Sequence, residues 1–234
     1  TGSLIPEAKA VIKKAVREKN AEVFFSDLDF KGEFTEQAFF YTDDVRKGAP
    51  ERYPLPKIPY CCAPAALKVL SLLTAEFKLK VLDEAVRRAL AEVCLLGRMQ
   101  VISVEPEIIC DVAHNPPAAE HLVSVLKKRP MAAEGQNIAV IGMLKDKDIE
   151  SVLKIVKDSF KLFYVASLHT PRGENSSRLE NALLSYGVDR ELIKSFDCVA
   201  EALKSAKMDA RRCDRIVVFG SFVTVAEVED FFKL

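Results

Sequence analysis

The chain has no tryptophan and no net charge at pH 7, because its 34 Lys and Arg residues are balanced by 34 Asp and Glu residues. Without a surplus of basic residues, it has no electrostatic footprint for nucleic acid. It also lacks any apolar run close to the ~20 residues that a membrane-spanning helix requires. We therefore expect partners that are neither nucleic acid nor membrane. The 234 residues, 49% of them hydrophobic, suffice for one large domain or two small ones.

The cysteines lack a metal-binding spacing. No Cys-x-x-Cys pair occurs among them, and the chain has only three histidines. A structural zinc site needs such a spacing, so we expect no metal site within this chain. Free thiols in a reducing cytosol are the expected state, which favours a cytoplasmic protein. The six cysteines are Cys61, Cys62, Cys94, Cys110, Cys198 and Cys213.

Three motifs of nucleotide-binding and hydrolytic enzymes are also missing. No GxGxxG follows a candidate strand, which disfavours a stand-alone dinucleotide oxidoreductase. No GxxxxGK[ST] loop occurs, so the chain has no Walker loop to hold a triphosphate. The absence of a GxSxG elbow weakens any interpretation of Ser221 as a hydrolase nucleophile.

The first part of the chain predicts a small α+β piece. Residues 6–19 have the apolar spacing of an amphipathic helix, and 23–25 and 38–41 are aromatic-rich strand candidates around a polar loop with Gly32. Four prolines within 50–59 predict a stiff, extended connector. Residues 63–73 and 82–94 then predict two helices. Such a piece is small for an independent domain.

From Gly97 onward, strands and helices alternate. Several of the strands are continuous apolar runs, which indicates strands buried on both faces. Alternation with helices predicts an α/β fold with a mostly parallel sheet covered by helices on both faces. The predicted strands are 108–112, 138–142, 161–166, 215–220 and a weaker 194–196. The predicted helices are 115–128, 148–158, 178–186, 199–206 and 222–232.

The stretch 110–116 (CDVAHNP) joins a strand directly to a helix. Asn115 is a good N-cap and Pro116 suits the first helical turn, so Asp111 and His114 are held at the turn. The other strand-to-helix turns of a parallel sheet emerge at the same edge, where helix starts favour anionic ligands. The alternative is that Asp111 caps or pairs locally and that His114 packs.

Five segments occur in an order and at intervals that resemble a known family. They are 96–100 (LGRMQ), 111–116 (DVAHNP), 142–148 (GMLKDKD), 171–173 (PRG) and 220–228 (GSFVTVAEV). Together they resemble the carboxy-terminal half of bacterial dihydrofolate synthase/folylpolyglutamate synthase, a relative of the Mur ligases. One segment alone would be weak evidence, whereas five in order are specific.

The resemblance implies a domain organisation and a reaction. Residues 4–96 correspond to the end of the family's central ATPase domain, and 97–234 to its complete Rossmann-like carboxy-terminal domain. The implied reaction uses ATP to phosphorylate the carboxylate of dihydropteroate or of a reduced folate's terminal glutamate. The amine of L-glutamate then attacks the acyl phosphate. The implied cofactors are ATP and Mg²⁺, and the implied state is a monomer.

The resemblance also assigns roles by position. Arg98 matches a nucleotide-binding arginine, and Asp111 matches an aspartate that accepts hydrogen bonds from the ATP ribose. His114 matches a histidine near the nucleotide and the reacting groups, and Ser221 a serine on the glutamate or folate side. We therefore expect Arg98, Asp111 and His114 to bind the cofactor, and His114 and Ser221 to be catalytic. A surface ion pair is the alternative for Arg98.

Some matched positions have no implied role, and others depart from the family. Asp146, Lys147 and Asp148 match a domain-interface loop of unassigned role, with helix-start residues as the alternative. Cys62 stands where the family has an adenine-contacting asparagine, and a thiol substitutes poorly for an amide. Met99 replaces an aromatic residue.

The family's Walker loop, magnesium ligands and modified lysine precede the matched region. We therefore expect the metal ligands to lie outside this chain, and the chain by itself to lack catalysis. The alternative from a different class is a noncatalytic Rossmann-like module that binds nucleotide or another protein.

Overall fold

The computed structural model describes residues 6–35, 37–44, 48–56 and 62–232. The chain divides into two compact units, Thr1–Leu95 and Leu96–Leu234. Across the described ranges, no helix is both long enough and apolar enough to cross a bilayer. The end of the predicted proline-rich connector, 57–59, and the first cysteine, Cys61, lie outside the described residues.

In the described part of the first unit, three α-helices accompany a small antiparallel sheet of order β1-β2-β3. Its aromatic core centres on Phe39, which is fully buried and stacks on Phe34 with ring centroids 4.5 Å apart. The elements are α1 (Pro6–Lys19), β1 (Phe30–Phe34), β2 (Phe39–Asp43), β3 (Glu51–Tyr53), α2 (Cys62–Phe77) and α3 (Asp83–Glu92).

One strand prediction in this unit is wrong. Residues 23–25 form no strand, and the strand lies instead at β1, where a polar loop was expected. The backbone N–H of Phe25 donates to Asp29 Oδ2 at 2.6 Å, which closes a turn in place of a sheet ladder. Gly32 lies within β1 because α2 approaches closely: a Cβ there would stand 2.3 Å from Pro64 Cγ.

The described part of the second unit, residues 96–232, forms a six-stranded sheet with five α-helices. The predicted strands and helices are confirmed, and one strand that the sequence did not indicate, β4, is added at the edge. The elements are β4 (Gln100–Val104), β5 (Glu107–Asp111), α4 (Pro116–Lys128), β6 (Asn137–Ile141), α5 (Ile149–Val156), β7 (Leu162–Ala166), α6 (Ser176–Ser185), β8 (Ile193–Phe196), α7 (Val199–Asp209), β9 (Arg215–Phe219) and α8 (Phe222–Phe232).

The strand order of this sheet is β4-β5-β9-β6-β7-β8. Every neighbouring pair is parallel except β4 and β5. One apolar core covers the face under α4, α5 and α6, and a second covers the face under α7 and α8. This is the expected α/β fold with both faces covered. Because β9 lies between β5 and β6, the turn after β9 emerges between the turns that follow those two strands.

Candidate active site

Asp111 ends β5 and links two turns of the chain. Its carboxylate accepts the backbone N–H of Ala113 on Oδ1 at 2.8 Å and that of Met99 on Oδ2 at 2.9 Å. Only 7% of the residue is exposed. Burial raises the pKa of this carboxyl above its ordinary value, although the two backbone donors and the nearby Arg98 act in the opposite direction. Asp111 is therefore a buried acceptor that organises the carboxyl end of β5.

Arg98 lies on the turn that Asp111 holds. The turn is tight, with φ of +62° at Gly97 and +48° at Met99, and the N–H of Val112 donates to the Gly97 carbonyl at 2.8 Å. The Arg98 guanidinium carbon stands 5.8 Å from the ring centroid of Phe222. Among the described residues, no carboxylate lies within 4.0 Å of this guanidinium. The arginine is thus available to an anionic ligand.

His114 stands between Asp111 and the start of α4. Its Nδ1 lies 2.6 Å from the Val112 carbonyl oxygen. Since a carbonyl only accepts hydrogen bonds, Nδ1 carries a proton in this geometry, and Nε2 is the ring nitrogen that can accept a proton. Asn115 caps α4 as predicted, accepting the Ala118 N–H at 3.0 Å. His114 is partly exposed at this turn.

Ser221 follows β9 and is only 2% exposed. Its Oγ accepts the Thr224 backbone N–H at 3.0 Å and lies 2.7 Å from Thr224 Oγ1. The Thr224 hydroxyl donates its proton to the Gly142 carbonyl at 2.6 Å, so the Ser221 hydroxyl is the donor of the pair. This chain joins the ends of β9 and β6. In this geometry the Ser221 hydroxyl proton is already used in the hydrogen bond to Thr224 Oγ1. A catalytic role for this residue stays a prediction.

The loops that follow β6 and β7 are joined by backbone hydrogen bonds. Lys145 N–H donates to the Arg172 carbonyl at 2.9 Å, and Glu174 N–H to the Met143 carbonyl at 3.0 Å. Arg172 also donates to both carboxylate oxygens of Asp146, at 3.1 and 2.7 Å. Its hydrogen bonds and charge lower the pKa of Asp146 to about 2.

The remaining residues of this loop have structural partners as well. Lys147 Nζ lies 3.4 Å from Asp146. Asp148 caps α5 by accepting the Ser151 N–H at 3.1 Å, which agrees with the helix-start alternative. Arg178 on α6 contacts Glu150 of α5 and Glu174 of its own loop, a link that the sequence did not indicate.

The sheet brings Arg98, Asp111 and His114 to one pair of turns. Ser221 follows on the adjacent strand, because Asp111 pairs in register with Phe219. The Asp146 loop follows β6, the next strand of the same edge. Cys62 belongs to the first unit, at the exposed start of α2. Within the described ranges, no group of three or more His, Cys, Asp or Glu side chains could hold a metal ion.

Sequence reasoning missed Phe222 and Thr224 as parts of this site. The signal for Thr224 was present, since a hydroxyl residue three positions after Ser221 is a common partner at a helix start. No local signal marked Phe222, because an aromatic residue at the first position of an apolar helix is indistinguishable from a core residue.

Comparison with known proteins identifies the family. Residues 97–222, more than half of the chain, match the family described as Mur ligase, glutamate ligase domain. The chain belongs to this family.

Among curated proteins, the dihydrofolate synthase/folylpolyglutamate synthase of Escherichia coli K12 is 37% identical over 223 residues, covering 95% of this chain and 49% of that protein. The same enzyme of Haemophilus influenzae is 33% identical, with 74% and 43% covered. The chain therefore spans about half the length of the curated relatives that it matches, and the matched part is their carboxy-terminal half.

Solved structures of these enzymes are similar to this chain over about half of their own length. E. coli FolC in complex with DHPP and ADP superposes with a TM-score of 0.83 at 36% identity, covering 96% of this chain and 50% of that one. A bifunctional folylpolyglutamate synthase/dihydrofolate synthase with Mn, AMPPNP and L-glutamate bound gives 0.82 at 33% identity, with 96% and 51% covered. The similarity extends over both units of this chain.

Proposed function

We propose that this chain is the carboxy-terminal part of an ATP-dependent ligase that joins L-glutamate to dihydropteroate, to folylpolyglutamate or to both, through an acyl phosphate. The observation that carries the proposal is the 37% identity over 95% of the chain to an enzyme of that name. Related structures bind ADP together with DHPP, or Mn with AMPPNP and L-glutamate. Residues 4–96 would then be the end of the central ATPase domain and 97–234 the carboxy-terminal ligase domain.

The proposed nucleotide contacts are Arg98, Asp111 and His114. Arg98 fits an anionic group because it has no carboxylate partner among the described residues and lies near Phe222 at the start of α8. Asp111 fits a ribose hydroxyl less directly, since both oxygens already accept a backbone N–H. Each carboxylate oxygen can nevertheless accept a second hydrogen bond.

The residues of this chain contribute charge and a proton acceptor to the proposed reaction. A fixed guanidinium stabilises negative charge that develops on a phosphoryl group, at no cost of reorganisation. The free Nε2 of His114 can accept a proton from an amine as it attacks an acyl phosphate. Ser221 would face the glutamate or folate side through its remaining lone pair.

Magnesium is the second proposed cofactor, and it neutralises phosphate charge when bound. No group of three or more candidate ligands is present among the described residues, and the resemblance implies that the family's magnesium ligands precede the matched region. We therefore assign its ligands to residues outside this chain and derive no step through it. We further propose a monomer that acts in the cytoplasm, where folates and ATP are available.

A second candidate function is a noncatalytic module that binds nucleotide or another protein. The two candidates differ in what a longer parent protein does, because only the ligase predicts glutamate incorporation there.

The decisive experiment measures ATP-dependent incorporation of radiolabelled L-glutamate into dihydropteroate and into tetrahydrofolate. We expect no turnover by the 234-residue chain alone and turnover by the parent protein. Arg98→Ala in the parent should reduce that turnover. Turnover by the chain alone would contradict the assignment of essential groups to the missing part. No turnover by the parent on either substrate would leave the noncatalytic module as the better account.

A further inference from the structure

Phe222 is the most exposed residue of an otherwise buried turn. It follows Ser221 at the start of α8 and is 63% exposed, whereas Ser221 and Thr224 are 2% and 0% exposed. An exposed aromatic side chain contributes little to the core, so burial does not explain this residue. Its ring is instead in contact with the Arg98 guanidinium, at 5.8 Å from guanidinium carbon to ring centroid.

Both partners of this contact are fixed at the backbone. Phe222 follows Gly220, whose φ is +121°, and the Ser221–Thr224–Gly142 hydrogen bonds hold its turn. Arg98 lies between Gly97 and Met99, both in the left-handed region. The Met99 N–H is bonded to Asp111.

Gly97 is what allows the two turns to meet. A Cβ at this position would stand 2.7 Å from Val112 Cγ1 and 3.2 Å from Val225 Cγ1 of α8. A side chain here would clash with Val112 and crowd α8, and α8 presents Phe222 to Arg98. The side chain of Arg98 has several rotatable bonds, so fixed backbones alone do not fix its guanidinium. A cation placed over a ring face is attracted by the quadrupole of the ring.

We propose that Phe222 is a positioning residue that holds the Arg98 guanidinium for the anionic part of a nucleotide. The inference rests on the proposed nucleotide role of Arg98. It assigns no contact between Phe222 and the reacting atoms. Ordering the guanidinium in advance removes part of the entropy cost of binding, so its loss weakens affinity without disturbing the fold.

The first test needs no ligand. The Arg98 Nε–H resonance of the 234-residue chain, followed by NMR, should be shifted upfield by the Phe222 ring. Phe222→Leu keeps an apolar side chain but removes the ring, so the upfield shift should disappear, and Phe222→Tyr should retain it. Phe231→Leu is the matched control, because Phe231 is a second exposed aromatic residue of α8 whose cation partner is Lys207, at 5.6 Å. An Arg98 resonance unchanged by Phe222→Leu would overturn the proposal.

The second test measures ATP affinity of the parent protein by calorimetry. Phe222→Leu should bind ATP about two- to fivefold more weakly, which is the range expected for an exposed cation–π contact. Phe222→Tyr and Phe231→Leu should bind as the unchanged parent does. In an Arg98→Ala background, Phe222→Leu should cause no further loss.

The outcomes separate this inference from the proposed function. Weaker binding by Arg98→Ala with unchanged binding by Phe222→Leu would overturn the positioning role alone. Unchanged binding by both variants would overturn the nucleotide role of Arg98 and the inference with it.

Discussion

The backbone N–H of Met99 donates to Asp111 Oδ2 at 2.9 Å, across twelve residues of chain. This bond ties the turn that carries Arg98 to the strand end that carries His114. The same carboxylate accepts the Ala113 N–H on its other oxygen. One buried side chain therefore sets the positions of two residues to which the family resemblance assigns a nucleotide role.

Asp111→Ala tests whether this residue is structural, ligand-binding or both. Two largely buried backbone donors would lose their acceptor, so we expect a decrease of about 2 kcal/mol in the free energy of unfolding, measured by urea denaturation. In the parent protein, the same change should weaken ATP binding. Unchanged ATP affinity in a destabilised variant would make Asp111 a cap only. Asn115→Ala is a suitable control, because it removes an N-cap of the adjacent helix without touching the Arg98 turn.

Ser221 and Thr224 form a buried pair of hydroxyls whose loss should be structural. Thr224→Val keeps the side-chain shape but removes the donor to the Gly142 carbonyl, and we expect a loss of about 1–3 kcal/mol in unfolding free energy. Ser221→Ala removes the N-cap of α8 and should cost about 1 kcal/mol.

In the parent, turnover separates the two accounts of Ser221. A merely structural serine predicts that Ser221→Ala and Thr224→Val reduce turnover in proportion to their destabilisation. A loss of turnover in Ser221→Ala far beyond that of Thr224→Val would instead support the catalytic assignment.

Gly220 and Gly187 differ in the space that surrounds a Cβ atom. Both have positive φ, +121° and +82°. A Cβ on Gly220 would stand 2.4 Å from the Gly142 carbonyl oxygen, whereas one on Gly187 would meet nothing within 4 Å. We expect Gly187→Ala to cost about 1 kcal/mol from backbone strain alone. Gly220→Ala should cost about 3 kcal/mol or more, because the strand ends must separate. If thermal or urea unfolding showed the same decrease in the free energy of unfolding for both variants, this account would be contradicted.

Glu107 should make stability depend on acid pH. Its burial would raise the pKa of the carboxyl, but hydrogen bonds from Arg129 and from the buried Arg215 outweigh burial and lower it. A lowered pKa in the folded state means that the stabilisation is present above the ordinary pKa and is lost as pH falls through the lowered value. Glu107→Gln should therefore lower the free energy of unfolding by about 2 kcal/mol at pH 7. The difference in unfolding free energy between this variant and the unchanged protein should narrow below about pH 4. If urea denaturation showed the same difference in unfolding free energy from pH 7 to pH 3, the prediction would be contradicted.

Much of the second unit could be predicted locally. The runs 138–141 and 216–219 are apolar throughout, and the intervening helices repeat apolar residues at helical spacing. These patterns predicted strands buried on both faces of a parallel sheet. Asn115 with Pro116 marked the start of α4 correctly. The edge strand β4 was not predictable in this way, because its half-exposed residues pair with β5 alone and have no period of their own.

In the first unit, local patterns were misleading. The aromatic-rich segment 23–25 indicated a strand, but the hydrogen bond from the Phe25 N–H to the Asp29 side chain closes a turn there instead. The true strand contains Gly32, a residue that favours loops except where another backbone or ring needs its space. That need arises from α2, which begins thirty residues later in the chain.

The sequence by itself determined the fold of the larger unit, the edge at which its polar turns gather and the family to which it belongs, because periodicity and ordered motifs are properties of the chain. Only the tertiary structure decided what each of those polar residues contacts. The insertion of β9 between β5 and β6 brings Ser221 to a strand end adjacent to that of Asp111, and the absence of a Cβ at Gly97 lets α8 carry Phe222 to Arg98. Such contacts depend on strand order and on space between elements, which no local pattern encodes.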